Sequence, residues 1–417
     1  MPQAAEKEPL AIRFKLARRF YEPILLDAAL KNIGGGGSSG PQHEPNSPED
    51  SIDNAEEAFQ CFVNRLADVC DNGNFGKTVS AVAVLEEFDC VHYIVGSNMR
   101  EATGIEAVKS FVKKLLELVG SQGDPSSEKA GLKKMLLSHV LHFNQKRVER
   151  YATRMAHHLQ ECIKDHERRY PENHEGYSDD AAQSLKAQLI PLLQMTQTPT
   201  DEQPGRVGLS FFARFDALLQ HIHHLDHDAQ FKEAISEQAQ DGKAFTRQPW
   251  IEFKHYFGRL KSYRLAIDTI IHVGRRSPIL FQDVRVTVIP SAKPGESVFK
   301  GSKTKTNADG IIGRMLSPGP TMSQAQIQTW KDRVAELQKF GLDKSITRQI
   351  QGQDSLIVHA EILVLDFVLG YMSRGGTVGF WKGWKYIGSS KPTCRLCHYY
   401  MAAHPSRVKR FAKMYCR

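Results

Sequence analysis

Two short runs rich in small and β-branched residues constrain the fold of this chain more than any other feature. Thr78 to Val84 and Cys90 to Asn98 are largely apolar, and the polar pair Glu86 and Glu87 separates them. Strands that are buried on both faces have this composition, whereas a strand with one solvated face alternates apolar and polar residues. The two runs therefore predict a doubly buried hairpin that ends in Asn98.

Most of the remaining sequence has the period of amphipathic helices, in which apolar residues recur every three or four positions. Helices are predicted over residues 11–31, 54–71, 209–238, 250–273 and 323–340, and the stretch from 104 to 257 is mostly helical in its pattern. Asp124-Pro125 predicts a helix start, since proline is tolerated directly after an N-cap oxygen, and this helix is expected to continue toward Arg168. Residues 284–289 predict another strand, and the Gly-, Ser-, Lys- and Pro-rich stretch 291–320 predicts a loop.

The composition is that of an ordinary globular protein rather than a membrane or disordered one. Of the 417 residues, 41% are hydrophobic and 24% are charged. No stretch approaches the ~18 consecutive apolar residues of a membrane span, and the first ten residues lack the apolar core of a secretory signal. The seven cysteines are irregularly spaced and odd in number. Reduced thiols in an intracellular location, cytoplasm or nucleus, are therefore expected.

The length allows two domains, or one domain that carries a large insertion. A Gly-Ser-rich stretch after the first predicted helix has the composition of a flexible linker. The predicted boundaries are an N-terminal helical segment (1–33), this linker (34–53), a helix plus the hairpin (54–100), a mainly helical insertion (101–350) and a C-terminal part (351–417).

The C-terminal part contains two motifs whose residues suit a metal site. His359-Ala360-Glu361 begins an apolar run that predicts a buried helix, and Cys394 and Cys397 lie at the predicted start of a second helix, with a strand at residues 385–389 between the motifs. Thiols three residues apart share one face of a helix and can bind the same ion. Two helix N-termini at the site would also favour thiolates over thiols.

One imidazole and two thiolates fill three of the four tetrahedral positions of zinc and leave one for water, which is the pattern of a catalytic site. Zinc lowers the pKa of that water toward ~7. Glu361, as a carboxylate that is not a ligand, then takes up the water proton and returns it to the leaving group. Two alternatives stay open: a closed structural zinc site with a fourth ligand from His398, His404 or Cys416, and no metal at all.

With these residues the chain resembles the cytidine-deaminase-like superfamily, whose signature is H-x-E followed by P-C-x-x-C. More narrowly, residues 358–361 with residues 386–397 are similar to the OTT_1508-like deaminase family, which is common in fungi. The resemblance implies an α/β fold with a three-layer α/β/α deaminase-like core, interrupted by a large helical insertion. It also implies zinc on His359, Cys394 and Cys397, a proton shuttle at Glu361, and a substrate contact at Asn98.

The implied function is zinc-dependent hydrolytic deamination of a nucleobase in a nucleoside, nucleotide or nucleic acid, with water attacking the amino-bearing carbon. The alternative is an inactive zinc-stabilised scaffold that serves as a binding or regulatory protein. Two departures from the family pattern bear on this choice. Thr393 is an extra residue between Pro392 and Cys394, and the two strands that the superfamily core adds after this helix would have to come from the 20 residues after Cys397.

Ten basic residues and no acidic ones lie between Phe367 and Arg417, which is more than the whole net charge of +8. A basic field of this kind favours a phosphorylated or single-stranded nucleic-acid partner, although a solubilising tail has the same composition. Trp381 and Trp384 alternate with lysines here, so Trp384 is predicted to stack on a base or, alternatively, to cover the core. No membrane association and no particular protein partner are predicted.

Two further groups of residues have an ordinary structural interpretation. His221, His223, His224 and His227 form the densest cluster of metal ligands, and His223 and His227 are spaced for chelation, but the polar end of a surface helix explains them as well. The remaining cysteines before the motifs lie on apolar faces and are interpreted as buried core thiols: Cys61, Cys70, Cys90 and Cys162.

Overall fold

The computed structural model describes residues 14–33, 54–73, 76–121, 129–170, 180–197, 207–240, 244–299, 306–316, 322–352, 355–374 and 378–410. The predicted linker at 34–53 and the predicted helix start at Asp124-Pro125 lie outside these residues. None of the described helices is both long and apolar enough to cross a membrane.

The described residues form helices and short strands with the following bounds. The helices are α1 (Phe14–Ile33), α2 (Ala55–Cys70), α3 (Ala102–Gly120), α4 (Lys129–Phe143), α5 (Gln145–Arg169), α6 (Asp180–Thr196), α7 (Val207–His227), α8 (Ala229–Gln240), α9 (Ala244–Arg276), α10 (Ala308–Met315), α11 (Gln324–Leu337), α12 (Leu342–Gly352), α13 (Ala360–Met372) and α14 (Arg395–Ala403). The strands are β1 (Ser80–Glu86), β2 (Val91–Ser97), β3 (Val284–Val288), β4 (Gly295–Glu296), β5 (Ser355–Leu356), β6 (Gly379–Phe380), β7 (Tyr386–Ser389) and β8 (Lys409–Arg410).

The main sheet confirms the predicted hairpin. Its order is β3-β2-β1-β7-β8, with β6 also paired to β1. β1 and β2 are antiparallel, from the Ser80–Ser97 pair to the Glu86–Val91 pair, whereas β2–β3 and β7–β8 are parallel. The chain is therefore a mostly helical, mixed α/β protein with a mixed sheet.

Helices cover both faces of this sheet, as the doubly buried strands require. Val82 and Val84 of β1 belong to the core that includes α2, while Ala83 and Leu85 belong to the core that includes Val364 of α13. Alternate residues of one strand thus face different helices. The hairpin is the middle of a layered arrangement, with α2 on one face and α13 on the other.

Local features of the sequence explain why α2 begins and packs where it does. Asn54 caps the helix with its side-chain oxygen, which accepts hydrogen bonds from the N–H groups of Glu56 and Glu57. Gly388 of β7 allows a close approach to this helix, since a Cβ atom there would lie 2.7 Å from the carbonyl carbon of Val63. The strand and the helix can touch only because that position has no side chain.

Helices α3 to α9 pack on the α2 side of the sheet and share its core. Two predicted helices are each divided in this region. The helix expected to continue toward Arg168 is interrupted at Asn144, whose side-chain amide donates to the carbonyl oxygens of Val69 and Val140. The helix predicted over 209–238 is divided at Asp228, whose carboxylate caps α8 by accepting from the N–H groups of Gln230 and Phe231.

The described residues divide into two compact units. One contains α1 and residues from Lys293 to Val358; the other contains the described residues from Asn54 to Ala292 and from His359 onward. The stretch 101–350, predicted as one insertion, is shared between them, and β3 within it is part of the main sheet.

The smaller unit differs from the sequence prediction in detail. In α1, Leu25, Leu26 and Ala29 are buried, whereas Leu16 and Phe20, which lie one turn apart and are also apolar, are exposed. The predicted loop at 291–320 contains β4 and α10, and α12 follows the correctly predicted α11. These short elements were missed because eight to eleven residues give little periodic signal.

Candidate metal centre

The structure brings the three predicted ligands together. Nδ1 of His359 lies 3.4 Å from Sγ of Cys394 and 3.3 Å from Sγ of Cys397. The ligand atoms of the three residues all lie within 4.8 Å of one another, so they could hold one metal ion. Residues 35 and 38 positions apart converge here because two helices begin at the same end of the sheet.

Each ligand lies at a helix N-terminus. His359 is the N-cap residue of α13, and its carbonyl oxygen accepts from the N–H groups of Ile362 and Leu363. Cys394 is the N-cap residue of α14, and its sulfur accepts from the N–H group of Cys397 at 3.5 Å. Unpaired N–H groups and the positive end of the helix dipole stabilise negative charge at such positions.

The electrostatics of the two thiols favour at least one thiolate. The pKa of Cys394 is lowered to about 3, above all because Cys397 donates a hydrogen bond to it, with further stabilisation from His359. The same contact raises the pKa of Cys397. The pKa of His359 is raised mainly by its hydrogen bond with Cys394. These groups therefore interact as one cluster rather than as three independent side chains.

Glu361 lies beside this cluster without being part of the ligand group. It is only 3% exposed, and burial is the main reason that its pKa is raised. A hydrogen bond with the Ser389 side chain acts in the opposite direction. Its Oε2 atom is buried and has no hydrogen-bond partner among the described residues. A buried carboxyl oxygen of this kind is available to a ligand, a water or a transferred proton.

Ser389 was not singled out by the sequence analysis. It is the last residue of β7, two positions after Ile387, which packs in the core against α13. Strand alternation therefore places its side chain on the α13 side, toward Glu361. That signal was present in the sequence, but it could be used only once the face of β7 that meets α13 was known.

Asn98 connects the hairpin to the metal centre. Its side-chain oxygen accepts a hydrogen bond from the N–H of Ala360 at 2.8 Å, and its side-chain nitrogen donates to the carbonyl oxygen of Gly76 at 3.3 Å. Both contacts fix the start of α13, next to His359. The predicted contact of Asn98 with substrate stays a prediction. What the structure adds is that Asn98 positions the first residue of α13 through its hydrogen bond with Ala360.

The donor set suits zinc, which prefers nitrogen and sulfur ligands in tetrahedral sites. Among the described residues, no fourth His, Cys, Asp or Glu joins the group. His398 contacts Arg410 through Nδ1 at 2.6 Å, and His404 contacts Ser406 through Nδ1 at 2.8 Å. Cys416, the third candidate for a fourth ligand, lies outside the described residues. Within the described part of the chain, the group therefore has three candidate ligands.

The histidine cluster on α7 gains no comparable support. The rings of His223 and His227 are 4.3 Å apart, and Nδ1 of His227 lies 2.8 Å from the carbonyl oxygen of His223. No third ligand joins them within the described part of the chain. Of the four cysteines before the motifs, Cys70 and Cys162 are buried as expected, whereas Cys61 and Cys90 are only half-buried.

Trp384 is not brought to the metal centre. Its ring packs against Phe59 of α2 with centroids 5.3 Å apart, and Lys382 Nζ lies 5.5 Å from the centroid. Trp384 precedes β7, whereas Ser389 ends it, and at about 3.3 Å per residue the strand separates these ends by more than about 10 Å. The contacts agree with the alternative that this tryptophan covers the core.

The basic C-terminal region is only partly described. Lys409 forms an exposed ion pair with Glu56 at 2.8 Å, and Arg410 contacts His398. Lys413 and Arg417 lie outside the described residues. Part of the positive charge is thus paired within the protein.

Comparison with known proteins agrees with the motifs. Residues 358–416 match the model of the OTT_1508-like deaminase family, and this stretch contains His359, Glu361, Cys394 and Cys397. The resemblance predicted from the sequence is thereby confirmed for this part of the chain. No curated protein and no solved structure matches the chain.

Proposed function

We propose that this chain is a zinc-dependent hydrolytic deaminase that acts on a nucleobase in a nucleoside, nucleotide or nucleic acid. The observation that carries the proposal is the cluster of His359, Cys394 and Cys397 beside a buried Glu361 carboxyl with an unpartnered oxygen. A structural zinc site needs four protein ligands and no neighbouring acid. A hydrolytic site needs three ligands and a group that moves protons.

The order of the elements supports a three-layer deaminase-like core. The β1–β2 hairpin leads, after the intervening helices, to α13 with its histidine and glutamate, and then to β7 and α14 with its two cysteines. β8 follows and pairs parallel to β7. Helix α2 covers the opposite face of the sheet from α13. One short strand after α14 is described, where the family pattern has two.

A zinc ion held by His359, Cys394 and Cys397 would supply an acidified water near neutral pH. The roles of the protein's own groups follow from their positions. Asn98 fixes the start of α13 and hence the placement of His359. Ser389 orients the Glu361 carboxyl through a hydrogen bond.

Glu361 is the proton carrier in this proposal. Its carboxylate accepts one proton from the attacking water and delivers it to the ring nitrogen. It then carries the second proton, from the hydroxyl group of the tetrahedral adduct, to the amino group, which departs as ammonia. Its raised pKa suits this exchange, because proton transfer is most efficient when the pKa of the carrier lies near the working pH. Burial raises the pKa of Glu361 and so makes its protonated form accessible, whereas the hydrogen bond with Ser389 limits this rise in pKa.

The test is ammonia release by the purified chain, loaded with one equivalent of zinc, from cytosine and adenine as nucleosides, nucleotides and single-stranded oligonucleotides. Glu361→Gln should reduce the rate by about 10²–10⁴-fold, the usual contribution of a general acid–base group. The matched control is Asp366→Asn, which neutralises an exposed acid on the same helix and should keep the wild-type rate.

Each outcome of this test has a distinct meaning. No ammonia from any of these substrates with wild-type protein that binds zinc would overturn the enzyme proposal and support the inactive scaffold. Equal rates for wild type and Glu361→Gln would remove Glu361 from the mechanism. Zinc content near zero in wild-type protein would overturn the metal assignment itself.

A further inference from the structure

A group of cationic side chains lies beside the metal centre and has no counter-ion of its own. Lys391 lies in the loop between β7 and α14, three residues before Cys394. Their Cα atoms are therefore at most about 11 Å apart. Lys391 is half-buried, and among the described residues no carboxylate forms an ion pair with its ammonium group.

The Lys391 ammonium approaches the end of the hairpin. A Cβ atom on Gly76 would lie 3.2 Å from Lys391 Nζ, and Gly76 has a φ of +77°, which favours glycine. The carbonyl oxygen of Gly76 accepts from Asn98, whose other end binds the N–H of Ala360. A single side chain thus connects the surroundings of Lys391 to the first residue of the helix that follows His359.

Helix α9 carries two further basic groups that interact electrostatically with Lys391. His255, Arg259 and Tyr263 are four residues apart on this helix and so lie along one face. Tyr263 is close to the buried pair of Arg147 and Asp71. Arg259 is half-buried and forms no ion pair among the described residues.

The carboxylate that interacts electrostatically with Lys391 already has partners of its own. Asp71 forms a buried ion pair with Arg147 at 2.8 Å. It also accepts hydrogen bonds from the hydroxyl groups of Thr78 at 2.7 Å and Ser390 at 3.2 Å. The other acid in this region, Glu252, lies near His255 on α9 and accepts from Gln248. Asp71 partly offsets the charge of Lys391, but among the described residues neither acid forms an ion pair with Lys391 or Arg259.

The mutual effect of these groups is consistent with a positive site whose charge is only partly offset. The pKa of Lys391 is lowered first by burial; the attraction of Asp71 opposes this shift, and the repulsion of Arg259 and Arg147 adds to it. The pKa of His255 is lowered first by burial, then by Arg259, with a smaller effect of Lys391. Like charges that are held together away from full solvation favour an anionic ligand.

We propose that Lys391, Arg259 and His255 form a phosphate subsite beside the metal centre. The preferred ligand is then a nucleobase compound that carries a phosphate, as a nucleotide or a nucleic acid does. The guanidinium of Arg259 and the ammonium of Lys391 are strong donors to phosphate oxygens, and the imidazole of His255 adds one N–H donor. The subsite lies at the end of the sheet where the metal ligands converge. The identity of the base rests on the proposed function, whereas phosphate binding does not.

The test measures binding by calorimetry in the Glu361→Gln background, which prevents turnover of the ligands. The probes are inorganic pyrophosphate, the nucleotides CMP and AMP, their nucleosides, and a short single-stranded oligodeoxythymidylate. Lys391→Gln and Arg259→Gln should each weaken pyrophosphate binding about tenfold, the value of one charge-assisted hydrogen bond. The matched control, Lys385→Gln, removes an exposed lysine before β7 and should change nothing.

The arms of the experiment separate the sources of the phosphate. A preference for CMP or AMP over its nucleoside that is lost in Lys391→Gln identifies a free nucleotide. A Lys391-dependent affinity for the oligonucleotide with no such preference identifies a polynucleotide backbone. If Lys391→Gln and Arg259→Gln bind every phosphate probe as tightly as Lys385→Gln, with unchanged circular dichroism, the subsite is wrong.

Failure of the proposed function would look different. Wild-type protein that releases no ammonia but shows Lys391-dependent pyrophosphate binding would retain the phosphate subsite and lose the deaminase. Ammonia release from nucleosides and nucleotides at equal efficiency, with no effect of Lys391→Gln, would retain the deaminase and lose the subsite.

Discussion

Two buried clusters, each built around a histidine and a glutamate, lie at opposite ends of the β1–β2 hairpin. At the far end, Nδ1 of His92 contacts Glu87 at 2.5 Å, and Nε2 contacts the hydroxyl of Thr287 at 2.8 Å. Glu87 also accepts from Arg285 at 2.6 Å and from the hydroxyl of Tyr371 at 3.0 Å. Both nitrogens of the ring and both oxygens of the carboxylate thus have partners within the protein.

The metal-centre end is incomplete by comparison. Oε2 of Glu361 and Oγ1 of Thr393 are buried without a hydrogen-bond partner among the described residues. His359 and the two thiols contact one another instead of separate partners. A completed network stabilises the fold, whereas buried polar atoms without partners indicate a place for a ligand. Similar residue types therefore have different roles at the two ends, and the number of satisfied atoms distinguishes them.

Zinc affinity gives the largest expected difference between the two ends. Cys397→Ser removes one of three ligands and should weaken zinc binding by more than the ~10–100-fold that changes around a ligand shell cost. The control is Cys90→Ser, because Glu87, Asp89 and Cys90 at the far end also lie within 4.8 Å of one another. Glu87 already has its partners there, so Cys90→Ser should keep full affinity. Competition with a chromophoric chelator measures both, and equal losses would contradict the assignment.

For the free energy of unfolding we expect the opposite order: a substitution at the far end should cost more than one at the metal-centre end. Glu87→Gln breaks a satisfied network and should lower the free energy of unfolding by about 1–3 kcal/mol. Glu361→Gln replaces a buried carboxyl that already lacks one partner, and in metal-free protein it should change stability by less than about 1 kcal/mol. Denaturant unfolding of both variants tests the contrast. A loss in Glu361→Gln as large as that in Glu87→Gln would mean that the metal-centre end is as complete as the far end.

The sequence predicted the cluster of the three proposed ligands better than its surroundings. His359, Cys394 and Cys397 were recognisable because their types and spacing are set by metal chemistry. The hairpin and α2 were recognisable because their periodicity is strong. Ser389, Lys391 and Arg259 were not singled out, since their roles depend on which helices pack together. An electrostatic interaction between residues more than 100 positions apart, such as that of Arg259 with Lys391, leaves no local pattern.

Tertiary contacts also explain where the observed fold differs from the one predicted from the sequence. The division at Asn144 depends on the carbonyl oxygen of Val69, which belongs to another helix. The exposed Leu16 and Phe20 of α1 show that apolar spacing alone does not decide which face is buried. Local propensity predicts that an element exists, and tertiary contacts decide where it ends and which side it buries.

Asn98 links the hairpin to the metal-centre end, and its removal should have an intermediate effect. Asn98→Ala leaves the N–H of Ala360 without its acceptor and should cost about 1–2 kcal/mol of stability. Because this contact positions the helix that follows His359, zinc affinity should also fall, by about tenfold. Thermal unfolding and chelator competition measure the two effects. Loss of stability without any change in zinc affinity would show that the hydrogen bond between Asn98 and Ala360 does not position the proposed metal ligands.

The smallest effect is expected at Trp384, which was predicted from the sequence to stack on a base. Its ring packs on Phe59 at the end of β7 away from Ser389, so Trp384→Phe keeps an aromatic contact with the core. This variant should lose about 1 kcal/mol of stability or less and should leave kcat/KM for the preferred substrate unchanged within about twofold, a difference near 0.4 kcal/mol. That result would place Trp384 among the residues that stabilise the fold rather than among those that bind substrate. A tenfold rise in KM with unchanged zinc affinity would instead return Trp384 to the substrate site, and it would mean that the substrate extends along the sheet beyond the metal centre.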